Sequence, residues 1–565
     1  MKYPVTLIIV FITGLAAHAE VRLPNFFGDH MVLQQQTSNA VWGFASPGEY
    51  ITVEASWGAQ NTVTADPEGK WKVFLETPAA GTGHSLSVTG ENTITIDDVA
   101  IGEVWIAFGQ SNMGWSVGNS FAAEGEADVD LPDLRLFRSS REHWHEPLDE
   151  NRDRLAQWKR CDPESAAETA AVAYYFGKKL QQELGVPVGI IQRAFAGTPI
   201  EGWMPWDIQQ DDPRTIVHRE NYDTVAVRTI KRGDNTEAQA LVSFQNELAA
   251  YHARVDAGDI MKSAVKRIDP PIITKPATLG HQYPGHIFNA MVNPLVPYGM
   301  RGAIWYQGER NSKNVPQAEH YRQQLAQLIN FYRSLWHENS AGNVSAEFPF
   351  QFTQLPSWTP AQATPVEGLT APWATNREAM RLVAEEVPNT GMVVAIDTGD
   401  LIALHPKNKK PLGHRHALLA LQKTYGKNIT GEGPRFNGET IKGEQLILNF
   451  ETNRSALTAA RSSPLDSFAI AGSDRVWQWA DAKIKGNTII LSSIKVPQPV
   501  AARYAWAMNP SQRNLLYNQA GFPASPFRTD TWPLHKPGAP LVEVKKPKKP
   551  DDYVSTDWPR PALNP

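Results

Sequence analysis

Four short clusters carry side chains suited to acyl chemistry. The first is Gly109-Gln110-Ser111-Asn112-Met113. A serine just past a buried strand, beside a glycine that permits a tight turn, can be held exposed as a nucleophile. Taken alone, Gly-x-Ser reads better as a helix N-cap. The second cluster is Ala196-Gly197-Thr198-Pro199-Ile200-Glu201-Gly202-Trp203. Its glycine either brings a backbone N–H close to a ligand oxygen or makes a plain turn. The third, Tyr306-Gln307-Gly308-Glu309-Arg310-Asn311, supplies amide donors and a carboxylate, or is a solvated loop with a salt bridge. The fourth is Asp397-Thr398-Gly399-Asp400-Leu401-Ile402-Ala403-Leu404-His405-Pro406. A histidine held by a following proline suits a general base, although a lone histidine is more often structural. Together the four supply a nucleophile, a base, acids and oxyanion donors, the parts of acyl transfer through a serine ester. The order Ser…His without a Gly-x-Ser-x-Gly elbow differs from the α/β-hydrolases.

Each cluster follows the C-terminal end of an apolar strand, the edge where open α/β sheets bind ligands. Val104-Trp105-Ile106-Ala107-Phe108 reads as a strand buried on both faces, and 188–191, 302–306, 350–352 and 392–396 read as further strands. Ser165-Ala166-Ala167-Glu168 has the form of a capping box. It opens a helix with Val172, Phe176, Leu180 and Leu184 on one face, ending at Gly185 and Pro187. Tyr321, Leu325, Leu328, Tyr332 and Leu335 give a second helical stripe. Strand, helix, strand at this spacing means an α/β fold with a parallel sheet and crossover helices.

Other regions frame this one. Residues 20–100 alternate as an all-β, sandwich-like domain. The catalytic region falls in two parts, 101–205 and 284–425, around a polar insertion at 206–283 with one helix over 236–252. Residues 426–530 return to β, and 531–565 read as a solvated tail with the run Lys545-Lys546-Pro547-Lys548-Lys549-Pro550.

Composition narrows the class. Net charge is 54 − 59 = −5, against a nucleic-acid binder with a strongly basic field. A single cysteine, Cys161, excludes an internal disulfide framework and any Cys-rich metal site. Lys2, the apolar run 5–12 and Ala17-His18-Ala19 have the layout of a secretory signal peptide, residues 1–19, cut after Ala19. The run is short of the roughly 20 residues of a membrane span. The expected mature protein is exported, periplasmic or secreted, with no membrane attachment.

Gly109-Gln110-Ser111-Asn112-Met113, Trp305-Tyr306-Gln307-Gly308-Glu309-Arg310-Asn311 and His405-Pro406-Lys407-Asn408-Lys409 resemble the sialate O-acetylesterase family of SGNH-type hydrolases. Met31-Val32-Leu33-Gln34, Pro284-Gly285-His286-Ile287-Phe288-Asn289-Ala290-Met291, Phe468-Ala469-Ile470-Ala471-Gly472 and Pro526-Phe527-Arg528-Thr529-Asp530 are similar to that family too. The resemblance implies an SGNH (flavodoxin-like) three-layer α/β/α catalytic domain with an insertion, flanked by β domains. It implies removal of acetyl groups from sugar hydroxyls with no metal and no organic cofactor. Ser111 would be the nucleophile and His405 its base. The N–H groups of Ser111 and Gly197, with a side-chain amide of Gln307 or Asn311, would form the oxyanion hole.

One departure stands out. SGNH enzymes commonly carry an aspartate just before the histidine, where this chain has Ile402 and Ala403. Glu309 is the first choice for the missing acid, Asp400 the second and Asp397 the third, with a backbone carbonyl as a further alternative. Trp115, Trp203 and Tyr306 are candidates to stack on sugar, or else core residues. Arg310 is a candidate cation for an acidic sugar, or else a surface ion-pair partner. The family name points to acetylated sialic acid, and an exported enzyme equally suits acetylated plant or algal polysaccharide such as xylan. A reading from another class is a non-catalytic glycan-binding surface protein, motivated by the missing aspartate. A glycoside hydrolase built on Glu309 and Asp400 leaves the serine loop unexplained.

Overall fold

The strand Thr93–Gly109 is the axis of the molecule. Its first residues alternate, Thr-Ile-Thr-Ile, and from Val99 onward every side chain is buried. The first half pairs antiparallel with Gly81–Thr89 and parallel with Val32–Gln34. The second half pairs parallel with Val188–Ala194 on one side and Gly302–Tyr306 on the other. The boundary expected at 100/101 therefore falls inside one unbroken strand. Burial changes there from one face to two, and a backbone can make that change without a turn.

The computed structural model describes residues 20–121, 129–230, 246, 249–250, 253–254, 280–461 and 464–549. The expected signal peptide lies outside the described residues, as does the expected helix over 236–252 apart from residues 246, 249 and 250.

The large sheet runs Thr390–Val393, Phe350–Thr353, Gly302–Tyr306, Thr93–Gly109, Val188–Ala194, Leu131–Arg138, with Gln157–Cys161 antiparallel at the end. Alternate residues of its central strands feed two cores, as a two-residue period requires. Val104, Ile106, Phe108, Ala303 and Trp305 pack with Tyr321, Leu325, Leu328 and Tyr332 of the helix Val315–Asn339. Trp105, Ala107, Ile304 and Tyr306 pack with the helices Ala171–Leu184 and Lys410–Lys423. The result is a mixed sheet covered by helices.

Several local expectations change. The capping box belongs to Asp162 and Ser165, which open a short helix Pro163–Glu168, and a second helix starts at Ala171. Asp162 wins because its carboxylate reaches the Ser165 N–H at 2.7 Å while the Ser165 hydroxyl caps back. Gly185 ends the second helix in the left-handed conformation, φ 64°, as expected. A helix Pro213–Ile230 occupies the start of the insertion, where none was expected. The described part of the tail is docked rather than free. The Val544 N–H donates to the Lys313 carbonyl at 3.0 Å, and Leu534 and Val544 pack on a cluster containing Trp358, Trp373 and Trp506. Apolar residues flanking the lysines find apolar surface there, while Lys545, Lys546, Lys548 and Lys549 stay at least partly exposed. Among the described residues no helix is long and apolar enough to cross a membrane.

Phe176 is fully buried against Trp105, ring centroids 5.0 Å apart. Phe176→Ala is expected to cost about 3–5 kcal/mol through the cavity it leaves. A denaturant titration followed by tryptophan fluorescence checks this through a lowered midpoint.

Candidate active site

The parallel strands deliver four loops to one edge. Gly109 ends the central strand at φ 146°, and a Cβ there would stand 2.2 Å from the Tyr306 carbonyl oxygen. Glycine is therefore required by close approach. The Gln110 N–H donates to that same carbonyl at 3.0 Å, fixing where the chain turns. Ser111 follows, and its Oγ lies 2.8 Å from His405 Nε2. Two residues far apart in the chain thus meet across one crevice.

Trp115 stacks on the imidazole, centroids 5.0 Å apart and planes 17° from parallel. The indole is itself fixed, its Nε1–H donating to the Asn119 carbonyl at 2.8 Å. Burial, then the ammonium groups of Lys409 and Lys546, push the His405 pKa down to about 4. Near neutral pH the imidazole is uncharged and Nε2 can accept the Ser111 proton.

The structure does not bring the expected acids to this imidazole. Glu309 turns to Asn112, whose Nδ2 donates to its Oε1. Asp400 Oδ1 accepts from the Ile402 and Ala403 N–H groups at 2.7 and 2.8 Å, closing its own turn. Asp397 pairs with Arg415 at 2.6 and 2.7 Å and accepts from the Tyr517 hydroxyl. Among the described residues no carboxylate or carbonyl accepts a hydrogen bond from His405 Nδ1.

The oxyanion donors also divide. Gln307 Nε2 donates to the Thr198 carbonyl at 3.1 Å and to Asn311 Oδ1 at 2.8 Å. Asn311 Nδ2 donates to Glu201 Oε2 at 2.8 Å, while its Oδ1 accepts from the Ile200 N–H at 2.8 Å. Both amides are fully buried and engaged in fastening the Gly197 loop to the Gln307 loop. Both protons of Gln307 Nε2 are thus taken, and one of the two on Asn311 Nδ2. The backbone N–H groups of Ser111 and Gly197, by contrast, donate to no acceptor among the described residues. Gly197 sits at φ 74°, where a side chain would be strained.

Two of the three aromatic candidates are core residues. Trp203 is fully buried between Phe108 and Trp305, and Tyr306 is fully buried beneath Lys409. Their faces are not open to sugar because each is packed inside the sheet's flank. Trp115 stays half-exposed at the rim. Arg310 is half-buried and donates to Gln282 Oε1 at 2.6 Å, and Gln282 Nε2 donates to the Gly197 carbonyl at 3.3 Å.

Asn112 and Lys409 have no place in the sequence reading, although both lie in its motifs. Asn112 Nδ2 also donates to the Leu404 carbonyl at 3.2 Å, and its Oδ1 accepts from Lys409 Nζ at 2.6 Å. Asn112 and Lys409 are both fully buried. Burial presses the Lys409 pKa down to about 7 against the pull of Glu309, and burial raises that of Glu309.

An α/β sheet with a paired serine and histidine at its carboxyl edge has the layout of an ester hydrolase. Comparison with known proteins carries this further. The family description "carbohydrate esterase, sialic acid-specific acetylesterase" matches residues 101–257. Sialate O-acetylesterase of Mus musculus is 26% identical over 556 residues, covering 93% of this chain and 97% of the mouse protein. The Homo sapiens sialate O-acetylesterase is 26% identical over 554 residues, covering 91% and 94%. The crystal structure of XAC1771, a carbohydrate acetylesterase from Xanthomonas citri, superposes with a TM-score of 0.73 at 30% identity, covering 91% of this chain and all of that one. The chain belongs to the sialate O-acetylesterase family of carbohydrate esterases.

His405 is expected to titrate near pH 4 rather than near the ordinary histidine value of about 6.5. Histidine ring proton shifts followed by NMR over an acid titration, with His405→Asn to assign the resonance, check this.

Proposed function

We propose that the chain is a serine esterase that removes O-acetyl groups from a carbohydrate through an acetyl-Ser111 intermediate. The observation that carries this is the 2.8 Å approach of Ser111 Oγ to an uncharged His405 Nε2. His405 takes the serine proton as Oγ attacks the acetyl carbonyl carbon. The oxyanion accepts from the Ser111 and Gly197 N–H groups, each worth roughly 10²–10³ in rate. The sugar oxygen leaves with the proton from His405. A water, deprotonated by the same imidazole, then attacks the acetyl-serine, and acetate is released as His405 returns that proton to the departing Ser111 Oγ. With no carboxylate on Nδ1 among the described residues, the Trp115 face and the surrounding loop hold the ring in place.

The residues around the crevice favour an acidic sugar. Arg310, Lys407 and the exposed Lys546 bring positive charge to the loops around the crevice, where Glu309 is buried and turned inward to Asn112. The curated relatives are named for sialate, and an O-acetylated sialic acid fits such a rim. An acetylated plant or algal polysaccharide such as xylan is the second substrate reading, in keeping with XAC1771, which is described as a carbohydrate acetylesterase with no sugar named. In this reading the sheet and its two helix layers form the SGNH catalytic domain, with β domains before and after it. Gln282, in the described end of the segment 206–283, borders the crevice through its bond to the Gly197 carbonyl, and a leader at 1–19 exports the chain.

Acetate release from a panel of O-acetylated sialic acids, acetylated xylan and acetylated pectin tests this. Ser111→Ala is expected to lower release by roughly 10³-fold or more. Release at the wild-type rate by that variant overturns the mechanism. Because His405 must be unprotonated, kcat/KM is expected to hold down to mildly acid pH and fall as pH drops through about 4.

A further inference from the structure

Among the described residues no carboxylate stands behind the reacting pair, yet its two members are held in register. Their immediate neighbours in the chain are tied to each other. Asn112 follows Ser111, and Leu404 precedes His405. Asn112 Nδ2 donates to the Leu404 carbonyl at 3.2 Å. On the far side of His405, beyond Pro406, Lys409 Nζ donates to Asn112 Oδ1 at 2.6 Å. One side chain therefore clamps the histidine segment at both ends. The second Nδ2 proton goes to Glu309 Oε1, which ties in the Gln307 loop. Every polar atom of the Asn112 side chain is used, and none faces the substrate.

Burying an ammonium is costly unless it is paired and hydrogen-bonded. Lys409 is fully buried, with Asn112 Oδ1 as hydrogen-bond acceptor, the Tyr306 ring 5.2 Å below and Glu309 as counter-charge. Its side chain makes no capping hydrogen bond, although Lys409 stands at the N-cap of the helix Lys410–Lys423. A cation at that position is unfavourable to the helix dipole. A lysine kept there against both costs is explained by what it holds.

We propose that Lys409, acting through Asn112, is the positioning residue that sets His405 against Ser111 in place of a triad carboxylate. The inference rests on the esterase reading above. The ammonium fixes the loop geometrically, and its charge, unscreened by solvent, disfavours an imidazolium beside it. The charged groups facing the imidazole are Lys409 from the helix start and Lys546 from the tail. Glu309 faces Lys409 from the third loop, and Asp400 lies on the histidine's own loop. Lys546 is exposed and screened, so Lys409 dominates.

The test uses the full chain, 4-nitrophenyl acetate as probe, and the variants Lys409→Met and Lys409→Gln beside Ser111→Ala. Lys409→Met, which loses both the hydrogen bond and the charge, is expected to lower kcat roughly 10- to 100-fold with KM little changed. Its acid limb of kcat/KM should rise above about 4 while staying below the ordinary histidine range, because burial, the larger cause of the shift, remains. Lys409→Gln keeps a donor for Asn112, so most of kcat should return while the limb stays raised. Wild-type kcat with an unmoved limb in Lys409→Met overturns the inference. So does a loss of kcat in both variants with the limb still near its wild-type position, the signature of a residue that only packs. If thermal melting shows that Lys409→Met does not fold, the limb of Lys409→Gln decides alone. A Ser111→Ala variant of full activity refutes the esterase reading instead, and the two failures are thus distinct.

Discussion

A hydroxyl and an imidazole separated by 294 positions of chain lie 2.8 Å apart. The loops that carry them start from different strands of one parallel sheet, and the sheet fixes both starting points. One tight constraint is the contact between Gly109 and the Tyr306 carbonyl, which admits no side chain. That contact locks the serine loop to the neighbouring strand's exit. Two loops that leave the sheet at the same edge then need only short reaches to share a crevice. The switch of strand order on either side of Thr93–Gly109 opens that crevice, as doubly wound sheets do.

Beneath the reacting pair lies a buried polar layer. Asn112, Lys409 and Glu309 form one knot, and Gln307, Asn311, Glu201 and Thr198 form another. Most donors in both knots have acceptors, which is the condition for a buried network to rigidify rather than weaken a core. The carboxylates that might have oriented the histidine are committed to this scaffolding, to their own turn or to Arg415. Orientation falls instead to the Trp115 face and the clamped loop. Because burial, reinforced by the ammonium groups of Lys409 and Lys546, disfavours the imidazolium, the imidazole stays a free base, and catalysis as a base is what it is fitted for.

Much of this was legible in the chain. Buried strands read as continuous apolar runs, and the loops after them held the serine and the histidine that meet. The motifs of Ser111 and His405 also carried the family. Other features were hidden for physical reasons. Gln307, Asn311, Trp203 and Tyr306 look like site residues because they sit in a site loop, but their side chains point into the scaffold, and direction is set by packing rather than by position. Glu309 is one loop away from the histidine, yet Asn112 claims it first. Lys409 reads as a solvated loop cation, since lysine is rarely buried unless paired, and its partner lies 297 positions away. The tail looked free because a lysine run dominates its composition, while two apolar residues decide where it docks.

The central claim, that Ser111 is the nucleophile and His405 its activator, is tested most directly by covalent trapping. The protein is treated with a fluorophosphonate, digested, and mapped by mass spectrometry, in parallel with His405→Ala. The account predicts one phosphonyl adduct, on the peptide carrying Ser111, with labelling suppressed when the imidazole is removed. A modified serine elsewhere, or esterase activity that survives with position 111 unlabelled, would contradict it.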